Sequence, residues 1–240
     1  MSSLSAIAAF MALPSEDLGR LEQGATRIDI SDRGTIFSQG DLADSVYAVL
    51  SGDGSVRISS FDHRGKRLMV EVFRAGDIFG EISVIDGGVR TAGAYAEGRL
   101  RLLKIKASVF VELLAGRPEL GISLCKILAD RLRRTFMLME DATFEPLEVR
   151  LARQLLYLAD RDSRHTSQGL RVAGRFRQTD LADLLGTTPR SIITILNSWR
   201  ASNIVIYDAH SAHVTLCNET ALRKLIDRDG YSERNTSPAT

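Results

Sequence analysis

Residues 79–92 read Phe79-Gly80-Glu81-Ile82-Ser83-Val84-Ile85-Asp86-Gly87-Gly88-Val89-Arg90-Thr91-Ala92 and hold the parts of an anion cradle within one short segment. Gly80 lets backbone come close to a ligand, a short helical turn starting near Glu81 aims free N–H groups at an anion, and Arg90 supplies a fork-shaped charge. Thr91 adds a hydroxyl donor. Glu81 is the informative member. A carboxylate beside a phosphate is repulsive unless it accepts a hydrogen bond from a hydroxyl such as a ribose 2′-OH, so the set describes a ribose-phosphate better than a free phosphate. Taken singly, Arg90 and Glu81 read as solvated surface charges and Ser83 as a cap; their joint spacing carries the reading.

Working outward, short alternating or apolar runs flank this segment: Thr26 to Ile30, Val46 to Leu50, Ser55 to Ser60, Leu68 to Phe73 and Leu100 to Ile105. The turn signals Gln39-Gly40-Asp41, Ser51-Gly52-Asp53-Gly54, Arg64-Gly65-Lys66 and Ala75-Gly76-Asp77 separate them at intervals of roughly 10 to 15 residues. That punctuation predicts an antiparallel sandwich or jelly roll. A helical region ending near Gly24 precedes it, in which Leu4, Ile7, Ala8 and Met11 would share one face.

Near Ser108 the apolar period changes from two to three or four, and from Pro118 to Asp141 no second proline interrupts. Gly121, Cys125, Leu128, Leu132, Thr135 and Met139 are spaced 4, 3, 4, 3, 4, as in a coiled-coil seam. Leu120, Leu124, Ile127 and Phe136 supply a second apolar face, so the helix is expected to pack on its own domain and on a partner helix in a parallel homodimer. Dimerisation is assigned to Cys125, Leu128, Leu132, Thr135 and Met139. Phe144-Glu145-Pro146 breaks the pattern and reads as a hinge. The expected organisation is α+β: a jelly-roll domain over 1–117, a dimerisation helix and hinge over 118–145, and a second domain over 146–240.

In that second domain a helix over Leu147 to Ala159 is followed by a loop with one short strand over Asp160 to Gly174. Gln178 to Leu196 then has the layout of a helix-turn-helix. Leu181, Leu184 and Leu185 form a buried face, Gly186 allows the tight turn, and Thr188 caps a second helix with Pro189 at its first position. Ile192, Ile195, Leu196 and Trp199 hold that helix down, leaving Arg190, Ser191 and Thr194 toward base edges. A hairpin of Ile204 to Tyr207 and His213 to Leu216 reads as a wing. Arg150, Arg153, Arg171, Arg175 and Arg177 are candidate phosphate contacts. The bland reading, an amphipathic helix pair without a DNA role, is weakened by the hairpin and by the charge.

Residues 79–92, taken together with the long helix and the helix-turn-helix downstream, resemble the CRP/FNR family of bacterial transcription regulators, over nearly everything from about Phe10 to Leu225. The resemblance implies a cyclic-nucleotide-binding domain in which Gly80, Glu81, Ile82 and Ser83 hold the ribose and cyclic phosphate, with Arg90 and Thr91 on the phosphate. The interval from Gly80 to Arg90 is one residue shorter than in the enteric cAMP receptor and matches kinase regulatory subunits. Counting back from Phe144, which resembles the family's hinge phenylalanine, Thr135 falls where the enteric receptor has the threonine that meets the purine. The next residue there is a serine reaching the base from the other subunit; here it is Phe136, which leaves cAMP and cGMP both open as the effector. In the second domain the resemblance implies DNA contacts from Arg177, Gln178, Thr187, Thr188, Arg190, Ser191 and Thr194. Arg190 stands where an acidic residue is usual in the family, so the resemblance does not by itself imply the family's common half-site. Arg177 replaces the usual Ser or Thr cap and favours a phosphate contact over a cap. Double-stranded DNA, a cyclic nucleotide and a second copy of the chain are the implied partners, and RNA polymerase is one the resemblance admits.

Composition sets the remaining bounds. With 44% hydrophobic and 25% charged residues in 240, the chain is neither disordered nor of low complexity. Two cysteines, Cys125 and Cys217, are too few for a four-thiolate cluster. His63, His165, His210 and His213 complete no metal ligand set, and no Ser/His/Asp, GxSxG or HExxH arrangement is present, so the expectation is a protein with no metal or cofactor that is not an enzyme. No run reaches membrane-span length and no basic residue precedes the apolar stretch at Leu4, which reads as cytoplasmic and away from membranes. The net charge of +1 divides into 18 basic against 20 acidic residues up to Glu145 and 13 against 10 beyond it. The sign suits a second half that meets a polyanion. Three alternatives stay open: a regulator that binds DNA independently of cyclic nucleotide or with another effector, a nucleotide module acting through protein contacts, and, least favoured, an enzyme acting on cyclic nucleotides.

Overall fold

Leu4, Ile7, Phe10 and Leu13 are buried at a spacing of three, and that spacing decides how the chain begins. Three residues per turn is the 3₁₀ period, and the computed structural model, which describes residues 3–227, has 3₁₀ turns at Ser3–Ala6 and Ala8–Phe10. The expected α-helix with Ala8 and Met11 on its inner face is therefore corrected: Ala8 is exposed and Met11 is 68% exposed. Helix α1, Ser15–Gln23, comes next. Its buried Asp17 carboxylate is held by Arg117 at 2.5 Å.

The described residues divide into two units, one running up to Phe136 and the other starting at Met137. In the first, strands β1 (Ala25–Ile30), β2 (Thr35–Phe37), β3 (Ser45–Gly52), β4 (Ser55–Phe61), β5 (Arg67–Phe73) and β6 (Ile78–Phe79) lead into the short helix α2 (Ile82–Ile85), then β7 (Gly93–Glu97) and β8 (Leu100–Lys106). They form two antiparallel four-stranded sheets, ordered β1-β8-β3-β6 and β2-β7-β4-β5. Strand β3 shows why the roll closes. Tyr47 and Val49 face a core with Val56, Phe73, Phe79, Ala94 and Leu102, while Val46 and Ala48 face a second core with Leu4, Phe10, Ile105 and Phe110. A strand covered on both faces reads as a continuous apolar run. The five expected strands are present; β2, β6 and β7 are additional to them.

Helix α3 (Ala107–Gly116) and the 27-residue α4 (Pro118–Phe144) complete the unit and lead out of it. Leu120 and Leu124 of α4 are buried in the second core, and Ile127 and Leu128 pack against it. On another side of α4, Ile122 (58%), Leu132 (55%), Phe136 (58%) and Met139 (61%) are exposed, with Cys125 and Ala129 between them.

The second unit contains α5 (Leu147–Arg161), β9 (Ser163–Thr166), β10 (Gly169–Val172), α6 (Gln178–Leu185), α7 (Pro189–Ala201), β11 (Val205–Asp208), β12 (His213–Leu216) and α8 (Glu219–Asp227). Its buried residues include Leu151, Leu155, Phe176, Leu181, Ile192, Trp199 and Val214. Trp199 Nε1 donates to Glu148 at 2.7 Å, tying α7 to α5. The expected loop with one strand at 160–174 is instead a hairpin, and β10 pairs with β12 to give the sheet β11-β12-β10-β9. Helix α8 has no counterpart in the expectations, and residues 228–240 of the expected second domain lie outside the described residues.

Candidate functional site

Gly80 sits between β6 and α2 at φ +78°, and a Cβ there would lie 2.8 Å from Arg90 Nη1. Both facts favour glycine. Arg90 is 2% exposed and donates from Nη1 to the Gly80 carbonyl and from Nη2 to the Ser45 carbonyl, each at 2.6 Å. Its guanidinium lies 4.2 Å over the Phe37 ring. Burial pushes its pKa below the ordinary guanidinium value. The buried Nε has no hydrogen-bond partner among the described residues.

Glu81 is 1% exposed. Its Oε1 accepts from Arg131 Nη1 at 2.6 Å, while Oε2 is buried with no partner among the described residues. Arg131 also donates to the Ile78 carbonyl at 2.7 Å and lies 4.4 Å over the Phe73 ring. Ser83 Oγ donates to the Val89 carbonyl at 2.9 Å, closing the loop from α2 back to Arg90. Ile82 and Thr91 are exposed at its lip. An orphaned buried acceptor on Glu81 and an orphaned buried donor on Arg90 are what a ribose hydroxyl and a phosphate oxygen would satisfy.

The structure brings Gly80, Glu81, Ser83 and Arg90 together and adds Arg131, which sequence reasoning missed. Arg131 lies four residues before Thr135, one helical turn away on α4, and that spacing is the signal that could have found it. Thr135 is exposed and donates to the Arg131 carbonyl at 2.9 Å. Phe136, expected beside the base, shares the exposed stripe with Cys125, Leu132 and Met139, whereas Leu128, expected in the seam, packs on its own domain.

In the second unit Thr188 Oγ1 accepts from the Ser191 N–H at 3.3 Å, capping α7, and Gly186 ends α6 at φ +63°. Arg177, Thr188, Arg190 and Thr194 are exposed, while Gln178, Thr187 and Ser191 are half-buried. Helix α6 has a cap after all: the Asp180 carboxylate accepts from the Arg177 backbone N–H at 2.9 Å. Two candidate phosphate contacts serve the fold instead. Arg150 Nη2 donates to the Leu185 carbonyl at 2.6 Å, satisfying the end of α6, and Arg153 pairs with Asp141 and Glu145. Arg171 and Arg175 are exposed.

Comparison with known proteins places these features in company. The cyclic nucleotide-binding domain family matches residues 28–117, and the Crp-like helix-turn-helix domain family matches residues 149–225. A Thermus thermophilus protein named cyclic AMP receptor protein is 31% identical over 170 residues, covering 71% of this chain and 74% of its own. A Mycobacterium tuberculosis protein named CRP-like cAMP-activated global transcriptional regulator is 29% identical over 183 residues, 76% of this chain and 81% of its own. Among solved structures, FixK2 from Bradyrhizobium japonicum superposes with a TM-score of 0.73 at 22% identity, covering 84% of this chain and 96% of that one, a likeness of fold.

Proposed function

This chain belongs to the CRP/FNR family of transcription regulators, and from that premise we propose that it is a homodimer whose operator binding is controlled by cAMP or cGMP held in the β-roll. The orphaned Oε2 of Glu81 carries this reading. A ribose 2′-OH donating to it would complete the carboxylate that Arg131 already holds from the other side. The cyclic phosphate would take the free Nε–H of Arg90 and the Thr91 hydroxyl, with Gly80, Ile82 and Ser83 forming the backbone of the cradle. Because Arg131 and Thr135 belong to α4, a ligand that favours one arrangement of that helix shifts the population toward it.

The exposed stripe of α4 supports a second copy as the partner. Ile122, Cys125, Ala129, Leu132, Phe136 and Met139 are spaced 3, 4, 3, 4, 3, with Ile122, Ala129 and Phe136 at one heptad position and Cys125, Leu132 and Met139 at the other. Parallel pairing would present two copies of α7 to half-sites about one helical turn, or 34 Å, apart. Arg177, Gln178, Thr187, Thr188, Arg190, Ser191 and Thr194 form the proposed DNA face.

One observation favours a second reading, in which the cassette serves only the fold and DNA binding ignores cyclic nucleotide: Arg90 makes two hydrogen bonds to backbone carbonyls, as a structural arginine does. Titrating cAMP and cGMP in turn against the full chain separates the two, by calorimetry and by a DNA-shift assay. Two relatives carry cAMP in their names, which makes it the first nucleotide to test. Saturable binding that is lost in Arg90→Ala and that changes DNA affinity supports the proposal; operator binding unchanged by either nucleotide supports the second reading.

A further inference from the structure

Phe144-Glu145-Pro146, the break expected to act as a hinge, is fastened by charge. Arg153 of α5 donates from Nη1 to the Asp141 carboxylate, and its Nη2 lies 3.7 Å from Glu145 Oε1. Asp141 is in the last turn of α4 and Glu145 just beyond its end, four residues on and so on the same face. The three side chains are mostly buried, at 17% exposure for Arg153, 9% for Asp141 and 10% for Glu145, and all belong to the second unit. Helical bonding runs up to the corner and resumes directly after it: the Glu145 N–H donates to the Asp141 carbonyl at 3.0 Å, and the Arg150 N–H to the Pro146 carbonyl at 3.1 Å. Phe144, the aromatic at the corner, is 79% exposed and does not hold it. Past the corner, α5 is built into the core through Leu151 and Leu155, and Glu148 in its first turn accepts from Trp199 Nε1 of α7 at 2.7 Å.

We propose that Arg153 is a positioning residue for DNA binding: it makes the corner a rigid elbow, so that a change in α4 is passed through α5 to α7 instead of being lost in a hinge. This role rests on the proposed control of operator binding by a ligand acting on α4. A guanidinium is a planar fork whose arms fix direction as well as distance, and here each arm takes one acid. Without it, two mostly buried carboxylates a helical turn apart repel each other. Losing Arg153 therefore cuts the tie and also drives the corner open. Helix α7 follows α5, because the shared core and the Trp199–Glu148 bond join the two.

The test is Arg153→Met in the full chain, with folding checked by thermal unfolding and with cAMP and cGMP as the nucleotides. Nucleotide affinity without DNA is expected to stay within about twofold of wild type by calorimetry, because the cassette is untouched. The ratio of operator affinities with and without nucleotide is expected to fall roughly threefold or more toward one. Amide hydrogen exchange at Glu145 and Arg150 should speed up by roughly tenfold or more while exchange in α7 is unchanged. A merely structural arginine would weaken both operator affinities alike; an unchanged ratio, or unchanged exchange at the corner, overturns the proposal. So does wild-type exchange at Glu145 as fast as at the exposed Gly87-Gly88 turn, since the elbow would then already be loose. Where Arg153→Met does not fold, Glu145→Gln, which weakens the longer arm and keeps the Asp141 pair, takes its place: a reduced ratio with faster exchange supports the role, and an unchanged ratio overturns it. A wild-type chain whose operator affinity ignores both nucleotides removes the proposed function and this role with it, whereas a wild-type ratio that survives Arg153→Met removes the role of Arg153 alone.

Discussion

The guanidinium of Arg131 on α4 closes on the Glu81 carboxylate of the cassette at 2.6 Å, and Glu81 is 1% exposed. One side chain thus joins the element that would hold a ligand to the element that would carry the dimer seam. Removing one partner of a buried pair leaves the other's charge uncompensated, at a cost of about 3 to 5 kcal/mol. Arg131→Ala is expected to lower stability toward the low end of that range, since Arg131 is partly exposed. Combining Glu81→Gln with Arg131→Met should recover most of the loss. Urea unfolding of the two single variants and the double variant checks this, because the coupling appears as non-additivity.

At Gly80 the backbone and the site are under one constraint. A Cβ at φ +78° is strained, and it would press on Arg90 Nη1 at 2.8 Å. Gly80→Ala is expected to cost about 1 to 2 kcal/mol of stability and to shift Arg90 off the Gly80 carbonyl. Calorimetry with the nucleotide that binds the wild-type chain should then show a larger loss of affinity than the modest loss of stability alone would produce. Unchanged affinity would mean that the phosphate does not depend on where Arg90 sits.

Helix α7 shows what a sequence declares locally. Its bounds, Pro189 to Ala201, are legible to the residue because Thr188 and Pro189 fix the start and the apolar period fixes the buried face. The N-terminus misleads because Leu4 and Ile7 suit both a 3.6- and a 3.0-residue period; only the burial of Phe10 in place of Met11 separates them. Strand β6 has two residues, and its existence depends on pairing with Tyr47 and Ala48 far upstream. Arg131 is hidden among Arg133 and Arg134, and only its four-residue spacing from Thr135 sets it apart from the other two along the chain. The seam is ambiguous for a related reason: Leu128 and Ala129 both fit a 3–4 pattern from Cys125, and the packing of Leu128 against its own core is what favours Ala129 in the proposed register.

The seam register is open to a direct test with the native thiol. Cys125 is exposed and reduced, and in a parallel, in-register dimer the two copies face each other across the seam. Mild oxidation is expected to give a disulfide-linked dimer on a non-reducing gel, and Cys125→Ser should abolish it. In that serine background Ala129→Cys should restore the cross-link and Leu128→Cys should not. The reverse result would return Leu128 to the seam.

Asp44 and Lys104 make a surface pair at 2.9 Å next to Ser45, whose carbonyl Arg90 holds. The hydrogen bond from Lys104 lowers the Asp44 pKa below its ordinary 3.8. A depressed carboxyl stabilises the folded state above its unfolded value and loses that contribution as pH falls through the lower folded one. Lys104→Met is therefore expected to destabilise by no more than about 0.5 kcal/mol near neutrality. Thermal unfolding across acidic pH should show the difference between the two proteins shrinking as pH drops below 3.8; a constant difference would assign the loss to packing of the lysine stem.

Arg190 and Arg171 are both exposed in the second unit, yet they should fail in different ways. Arg190 stands in the first turn of α7, the part of a recognition helix that meets base edges, while Arg171 lies on β10, on the sheet that carries the wing. A base-edge contact carries sequence information and a phosphate contact does not. Arg190→Ala is expected to cost about 1 to 3 kcal/mol on the cognate operator and far less on random DNA. Arg171→Ala should weaken both alike and reduce the steepness of the salt dependence by about one unit. Fluorescence anisotropy against operator and random duplexes at several salt concentrations separates the two outcomes. An equal loss on both duplexes in Arg190→Ala would reduce Arg190 to a backbone contact and move sequence reading to Ser191 and Thr194.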